Sequence, residues 1–255
     1  MKNFIIVSNW KMQLSYQQAL SYLTSLVNKM SPETATPTLV FCPSFDALAG
    51  AQAILKNTIF NLGAQDCSAH SSGAFTGQVQ ARSLAELSCR YTIIGHNELR
   101  VCGQTSELIA AKMSQLRAHN IIPIVCVGES ADDKQNNNSQ AALKKQIQPL
   151  VDELNKHSKN KKQIIIAYEP VWAIGTLITP STEYITAQLV YIKNLFNEMT
   201  HPIQIQTLYG GSIDENTITS LLKIPELDGI LLGKASLDSQ KFKKIVRSCM
   251  SITKN

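Results

Sequence analysis

Eight short, almost continuously apolar runs, each followed by a stretch of helical period, constrain this chain more than any other feature. The runs occupy 4–8, 38–42, 59–64, 91–95, 121–127, 163–168, 204–209 and 228–232. A strand with one wet face alternates apolar and polar residues. Runs that are apolar throughout are buried on both faces, as in a parallel sheet covered by helices. Between them, Leu20, Leu23, Val27 and Met30 predict the buried face of a first helix. Leu108, Ala111, Met113 and Leu116 do so after the fourth run, and Ile185, Leu189, Ile192 and Phe196 after the sixth. Alternating strand and helix patterns predict an α/β fold. Eight such units in 255 residues match a single closed (β/α)8 barrel in count and size. The open doubly wound sheet is the alternative, but no GxGxxG follows the first run to favour it. No linker divides the chain, so residues 1–255 read as one barrel domain.

Composition removes several other classes. The chain is 44% hydrophobic and 17% charged, with 24 basic and 19 acidic residues for a net charge of +5. That excludes disordered, collagenous, coiled-coil and low-complexity chains. It leaves room for an anionic ligand. The asparagine-rich stretch 132–140 reads as a loop entering a helix. Lysines at 144–145, 156–162 and 241–244 read as solvated helix faces. No aromatics interleave with them as a nucleic-acid platform requires, so no nucleic acid is expected. Six cysteines at 42, 67, 89, 102, 126 and 249 lie at least thirteen residues apart, without CxxC spacing. They suggest neither a zinc site nor a disulfide framework, and free thiols fit a reducing cytoplasm. The apolar run at the N-terminus is too short for a signal-peptide core. No run approaches the roughly 20 residues of a membrane span.

In a barrel of this kind the chemistry sits where the strands end. Asn9, Trp10 and Lys11 follow the first run, Gln65 and Asp66 the third, and His96, Asn97 and Glu98 the fourth. Gly128 and Glu129 follow the fifth, and Glu169 to Trp172 the sixth. A lysine, a histidine and a carboxylate thus emerge at one rim from three strands, an acid–base centre in outline. Gly210, Gly211 and Ser212 follow the seventh run, and Gly233 and Lys234 the eighth. Those two strand ends are the recurrent phosphate site of such barrels, and a helix beginning near Ala235 favours an anion. The same glycines also suit plain turns. On these residues alone, a sugar-phosphate enzyme and a phosphate-binding protein both remain open.

Longer motifs narrow the choice. Asn9-Trp10-Lys11-Met12, Gly73-Ala74-Phe75-Thr76-Gly77 and Gly95-His96 with Glu98 resemble segments of the triosephosphate isomerase family. So do Val125-Cys126-Val127-Gly128-Glu129 and Tyr209-Gly210-Gly211-Ser212. The longest is Ala167-Tyr168-Glu169-Pro170-Val171-Trp172-Ala173-Ile174-Gly175-Thr176, which resembles the family's signature around its catalytic base. The motifs occur in the family's order over essentially the whole chain. The resemblance implies a TIM barrel that interconverts dihydroxyacetone phosphate and D-glyceraldehyde 3-phosphate in glycolysis and gluconeogenesis. It implies Glu169 as base, neutral His96 as the group polarising the carbonyl, and Lys11 as fixed positive charge. Asn9, Gly175, Ser212, Gly233 and Lys234 are then substrate contacts, and Glu98 and Cys126 lie behind the reacting groups. Residues 170–180 become a lid that excludes water. No cofactor and no metal is expected. A cytoplasmic homodimer is, with Thr76 on a loop that enters the neighbouring subunit.

The chain departs from the family pattern at several positions. Leu177 stands where the lid has a second glycine, and Pro180 fixes φ near its far hinge. Lys234 replaces a glycine after the eighth run, which keeps the backbone N–H if its φ is negative. Asn97 stands for a serine. Gln78 and Leu99 stand for a charged pair of the dimer interface, and a whole pair can be lost at little cost.

Overall fold

The computed structural model describes residues 4–30, 37–156, 163–176, 179–199, 203 and 205–250. Eight strands form a closed barrel in chain order. They are β1 (Ile5–Asn9), β2 (Thr38–Cys42), β3 (Asn61–Ala64), β4 (Tyr91–Ile94), β5 (Ile122–Val127), β6 (Ile165–Tyr168), β7 (Gln206–Gly210) and β8 (Gly229–Leu232). Every pair is parallel, and Ile5 registers with Thr38 on one side and Gly229 on the other, closing the ring. Strands follow the eight apolar runs with ends moved by one or two residues. Asn9 lies inside β1 rather than after it. Among the described residues no helix is long and apolar enough to cross a membrane.

Helices α1 (Tyr16–Lys29), α2 (Leu48–Leu55), α3 (Ala81–Glu86), α4 (Asn97–Val101) and α5 (Ser106–Ala118) accompany the first half of the barrel. Helices α6 (Ala131–Gln135), α7 (Ser139–Lys156), α8 (Thr182–Asn197), α9 (Ile218–Leu221) and α10 (Ser239–Met250) accompany the second. Because successive strand residues point to opposite faces, two cores arise. Ile5, Val7, Val40, Ile93, Ile124 and Leu208 help fill the barrel interior. Ile6, Leu39, Ile94, Val125, Ile166 and Ile230 pack outward against the helices.

Sequence gives these helices their starts. Ser15 caps α1 in a capping box, with the Gln18 amide accepting from the Ser15 N–H at 2.9 Å. Ser181 caps α8, whose Ile185, Leu189, Ile192 and Phe196 are all buried as the period predicts. Two faces are rotated from the expectation. In α1 the buried stripe is Ala19, Leu23 and Leu26, with Leu20 and Val27 at its margins and Met30 just beyond the helix end. In α5 it is Ile109, Met113 and Leu116, while Ala111 is half-buried and Leu108 is exposed. The cause is Lys112, a charge buried on that face because its Nζ reaches Asp66 at 2.7 Å. A lysine in the stripe disguises it. The stretch 132–140 also differs: its first residues belong to α6, capped by Ser130 and Asp133, before the chain enters α7. Leu177 and the lysines at 157–162 lie outside the described residues.

Candidate active site

The ends of β1, β4 and β6 bring Lys11, His96 and Glu169 to one mouth of the barrel. Lys11 leaves β1 in a left-handed turn with φ of 51°. Its N–H donates to the Asn9 side-chain oxygen at 3.1 Å, and its ammonium donates to Glu98 Oε1 at 2.6 Å. Beyond β4, His96 caps α4, and its Nδ1 accepts the N–H of Glu98 at 3.3 Å. A ring nitrogen that accepts carries no proton, so the imidazole's proton sits on Nε2. That Nε2 stands 3.5 Å from Glu169 Oε1, with both side chains nearly out of solvent. The second carboxylate oxygen of Glu169 is buried and has no hydrogen-bond partner among the described residues.

Two glycines make room for Glu169, one beside its main chain and one beside its side chain. A β-carbon at 128 would stand 1.8 Å from the Glu169 carbonyl oxygen. One at 210 would stand 2.8 Å from Glu169 Cγ. The glycine of the β5 end and that of the β7 end thus set where Glu169 can stand.

The anion side of the mouth is built from β7 and β8. Gly233 lies beside the Lys11 stem, whose Cε would be 3.9 Å from a β-carbon there. Lys234 opens a short 3-10 helix, Lys234–Leu237, and is exposed. It is not among the positive-φ residues, so the backbone there tolerates a side chain. Gly175 has φ of 69° in the segment after β6. The Ser212 hydroxyl reaches that same segment, donating to the Thr176 carbonyl at 2.8 Å with the Ala173 carbonyl at 3.2 Å. Ser212 therefore ties the segment after β6 to the end of β7. Thr76 stands apart from this cluster, exposed at the tip of the loop after β3.

Comparison with known proteins agrees with this geometry. Residues 4–249 match the family described as triosephosphate isomerase. The chain belongs to the triosephosphate isomerase family. It is 36% identical to the triosephosphate isomerase of Mycoplasmopsis agalactiae over 96% of each chain. It is 35% identical to that of Nitrosococcus oceani over 97% of this chain and 99% of the relative. With that of Dictyoglomus thermophilum the identity is 36%, over 97% of this chain and the whole of the relative.

Three further side chains brace this mouth, and only one of them, Glu129, which follows the fifth run, shows a sign in the sequence. Arg100 is the first. Its guanidinium donates to the Gly95 carbonyl at 2.8 Å, the Cys126 carbonyl at 3.0 Å and Ser106 Oγ at 3.1 Å. It ties the β4 end to β5 and α5, and its charge lies near Glu169. Glu129 is the second. It is fully buried, and its Oε1 accepts from Tyr168 OH at 2.9 Å, Trp172 Nε1 at 2.8 Å and Tyr184 OH at 2.8 Å. That anchors the 3-10 turn Val171–Ala173 to the β5 end and to α8. Lys134, the third, lies over the Trp172 ring, 3.2 Å from its centre, and covers the other face of the anchor. Cys126 faces the barrel interior. Burial first, and then the Glu169 charge, push its thiol well above the usual range, so it is neutral filling behind the base. Among the described residues no cluster of three or more His, Cys, Asp or Glu could hold a metal ion.

Proposed function

We propose that this chain interconverts dihydroxyacetone phosphate and D-glyceraldehyde 3-phosphate, with Glu169, His96 and Lys11 as the catalytic residues. The approach of His96 Nε2 to Glu169 Oε1, at 3.5 Å beside the Lys11 ammonium, carries the reading. Glu169 takes the proton from the hydroxyl-bearing carbon. The pair of electrons released forms a carbon–carbon double bond, and the carbonyl oxygen gains the charge of an enediolate. His96 Nε2–H faces that oxygen and moves a proton between the two oxygens. Glu169 then returns its proton to the neighbouring carbon, so the reaction balances without a cofactor or a metal. Lys11 supplies positive charge toward the phosphate and the developing oxyanion, and Asn9 adds a donor. Glu98 and Cys126 act behind them, Glu98 as the partner of the Lys11 ammonium.

Gly175, Ser212, Gly233 and Lys234 grip the phosphate, the last two through backbone N–H groups. Closure of residues 170–180 keeps water from the enediolate. The chain works as one domain and as a cytoplasmic homodimer, in glycolysis and gluconeogenesis. Six free cysteines, five of them buried, favour the reducing compartment. Exposed Met12 at 94%, Val101 at 84% and Phe75 at 39% favour a partner surface next to the Thr76 loop. Sedimentation as a monomer at micromolar concentration would count against the dimer.

The test is a coupled assay of triose phosphate interconversion on the wild type beside Glu169→Gln. A rapid wild type and a variant slower by about a thousandfold or more are expected, because the amide cannot accept the proton. A folded wild type without turnover overturns the activity. Equal rates in both overturn Glu169 as base.

A further inference from the structure

Lys11 holds φ at 51°, where a β-carbon crowds the backbone and residues other than glycine rarely settle. Such a conformation persists only where neighbours fix it. On one side the Lys11 N–H donates to Asn9 Oδ1 at 3.1 Å. On the other, the Lys11 carbonyl accepts from Gln65 Nε2 at 2.8 Å. The same Gln65 nitrogen donates its second proton to the Cys42 carbonyl at 2.9 Å. That carbonyl also takes the Trp10 N–H at 3.2 Å. One amide, placed directly after β3, therefore binds the end of β2 to the turn that carries Lys11.

We propose that Gln65 is the positioning residue for Lys11. It acts on the Lys11 carbonyl, and through it on the left-handed turn that aims the ammonium at Glu98 and alongside Gly233. The inference rests on the reading of this mouth as a triose phosphate site, and it adds a side chain that touches no substrate. Once its carbonyl is free, Lys11 relaxes to the right-handed or extended region. Its Cα–Cβ bond then swings, and the ammonium leaves both Glu98 and the anion side of the mouth. Glu169 and His96 stand on other strands and keep their places. A loss of Gln65 is thus felt as weakened grip on the phosphate more than as slowed proton transfer.

Gln65→Leu keeps the bulk and removes both donors. Gln65→Glu keeps the shape, turns two acceptors on the two carbonyls, and serves where the leucine variant does not fold. The measurements are KM and kcat in the triose phosphate assay, the melting temperature, and a crystal structure of the variant. KM raised tenfold or more, with kcat lowered less, and Lys11 at negative φ with its Glu98 contact broken, are the expected results. A lowered melting temperature with KM unchanged, or Lys11 still left-handed in the variant, overturns the proposal and leaves Gln65 as a brace of the barrel mouth. Calorimetric titration with inorganic phosphate separates this from the reading beneath it. A wild type that binds phosphate but turns over no triose phosphate refutes the activity. Weaker phosphate binding by Gln65→Leu then still supports the inference, and equal binding refutes it.

Discussion

Gly210→Ala adds one methyl group at the place where the base stands. The backbone accepts it, because Gly210 ends β7 and is not among the positive-φ residues. The side chain does not. The new β-carbon falls 2.8 Å from Glu169 Cγ and 3.0 Å from its Oε1. Non-bonded carbons rest at about 3.5–4.0 Å, so the carboxylate must retreat by roughly 1 Å. A misplacement of that size slows an enzymatic step about a hundredfold, which is about 2.7 kcal/mol of activation free energy. In the proposed function the substrate grip belongs to Lys11 and to the ends of β7 and β8, so KM is expected to move by far less than kcat. Overpacking of about 1–3 kcal/mol lowers the melting temperature without unfolding the barrel. Steady-state kinetics in the coupled assay, beside a thermal melt, read both quantities. A folded variant whose kcat stays within twofold of wild type refutes the claim that this contact sets the position of the base.

Two further outcomes follow from charge and burial. Burial holds the thiols of Cys67, Cys89 and Cys249 up at about 12, and those of Cys42 and Cys126 are raised as well. A raised thiol keeps its proton in the folded chain while the unfolded chain releases it from about pH 8.5 upward. Its stabilising effect is therefore complete below that pH and declines as pH rises, by about 1.4 kcal/mol per pH unit for each thiol. Urea midpoints between pH 8 and 10 are expected to fall steeply, and less steeply in Cys249→Ala; a flat profile contradicts the burial argument. Lys234 carries the second outcome. Near the mouth, Lys11 faces Glu98, and half-buried Arg100 sits near Glu169, so the charges cancel toward a phosphate. Exposed Lys234 adds a further positive charge beside Gly233. Lys234→Gln is expected to raise KM by about two- to fivefold at low salt, the reach of one exposed charge, with the difference fading as salt is added. A KM that is unchanged at low salt places the ammonium away from the ligand.

The barrel was legible in the sequence because its strands are buried on both faces and so stand out as unbroken apolar runs. Helix faces were legible only where no charged residue is buried in the inward stripe. In α8 Ile185, Leu189, Ile192 and Phe196 all point inward, and the polar residue buried with them, Gln188, is uncharged. In α5 the inward stripe contains Lys112, whose partner Asp66 lies 46 residues earlier in the chain. No local pattern announces a lysine that is buried because a distant carboxylate meets it. The alternating pattern of α and β therefore survives such an exception, whereas the exact face of one helix does not.

The candidate site divides along a similar line. Lys11, His96 and Glu169 follow strand ends, and closing the barrel is enough to bring strand ends together. Their side chains point into the mouth because of where each strand stops, which the apolar runs mark to within a residue or two. Arg100, Glu129 and Gln65 work differently. Arg100 and Gln65 bond to backbone carbonyls, Arg100 to those of Gly95 and Cys126 and Gln65 to those of Lys11 and Cys42. A carbonyl has no residue identity, so no sequence motif on the accepting side can report the bond. Glu129 gathers two phenols and an indole from three later segments, each of which also reads as ordinary core. These three side chains fix where the lysine turn, the β4 end and the lid begin. The groups proposed to do the chemistry are thus readable from strand ends, as are the positions of Gln65 and Glu129, while the bonds by which the bracing residues hold them become visible only once the ring of strands has closed around them.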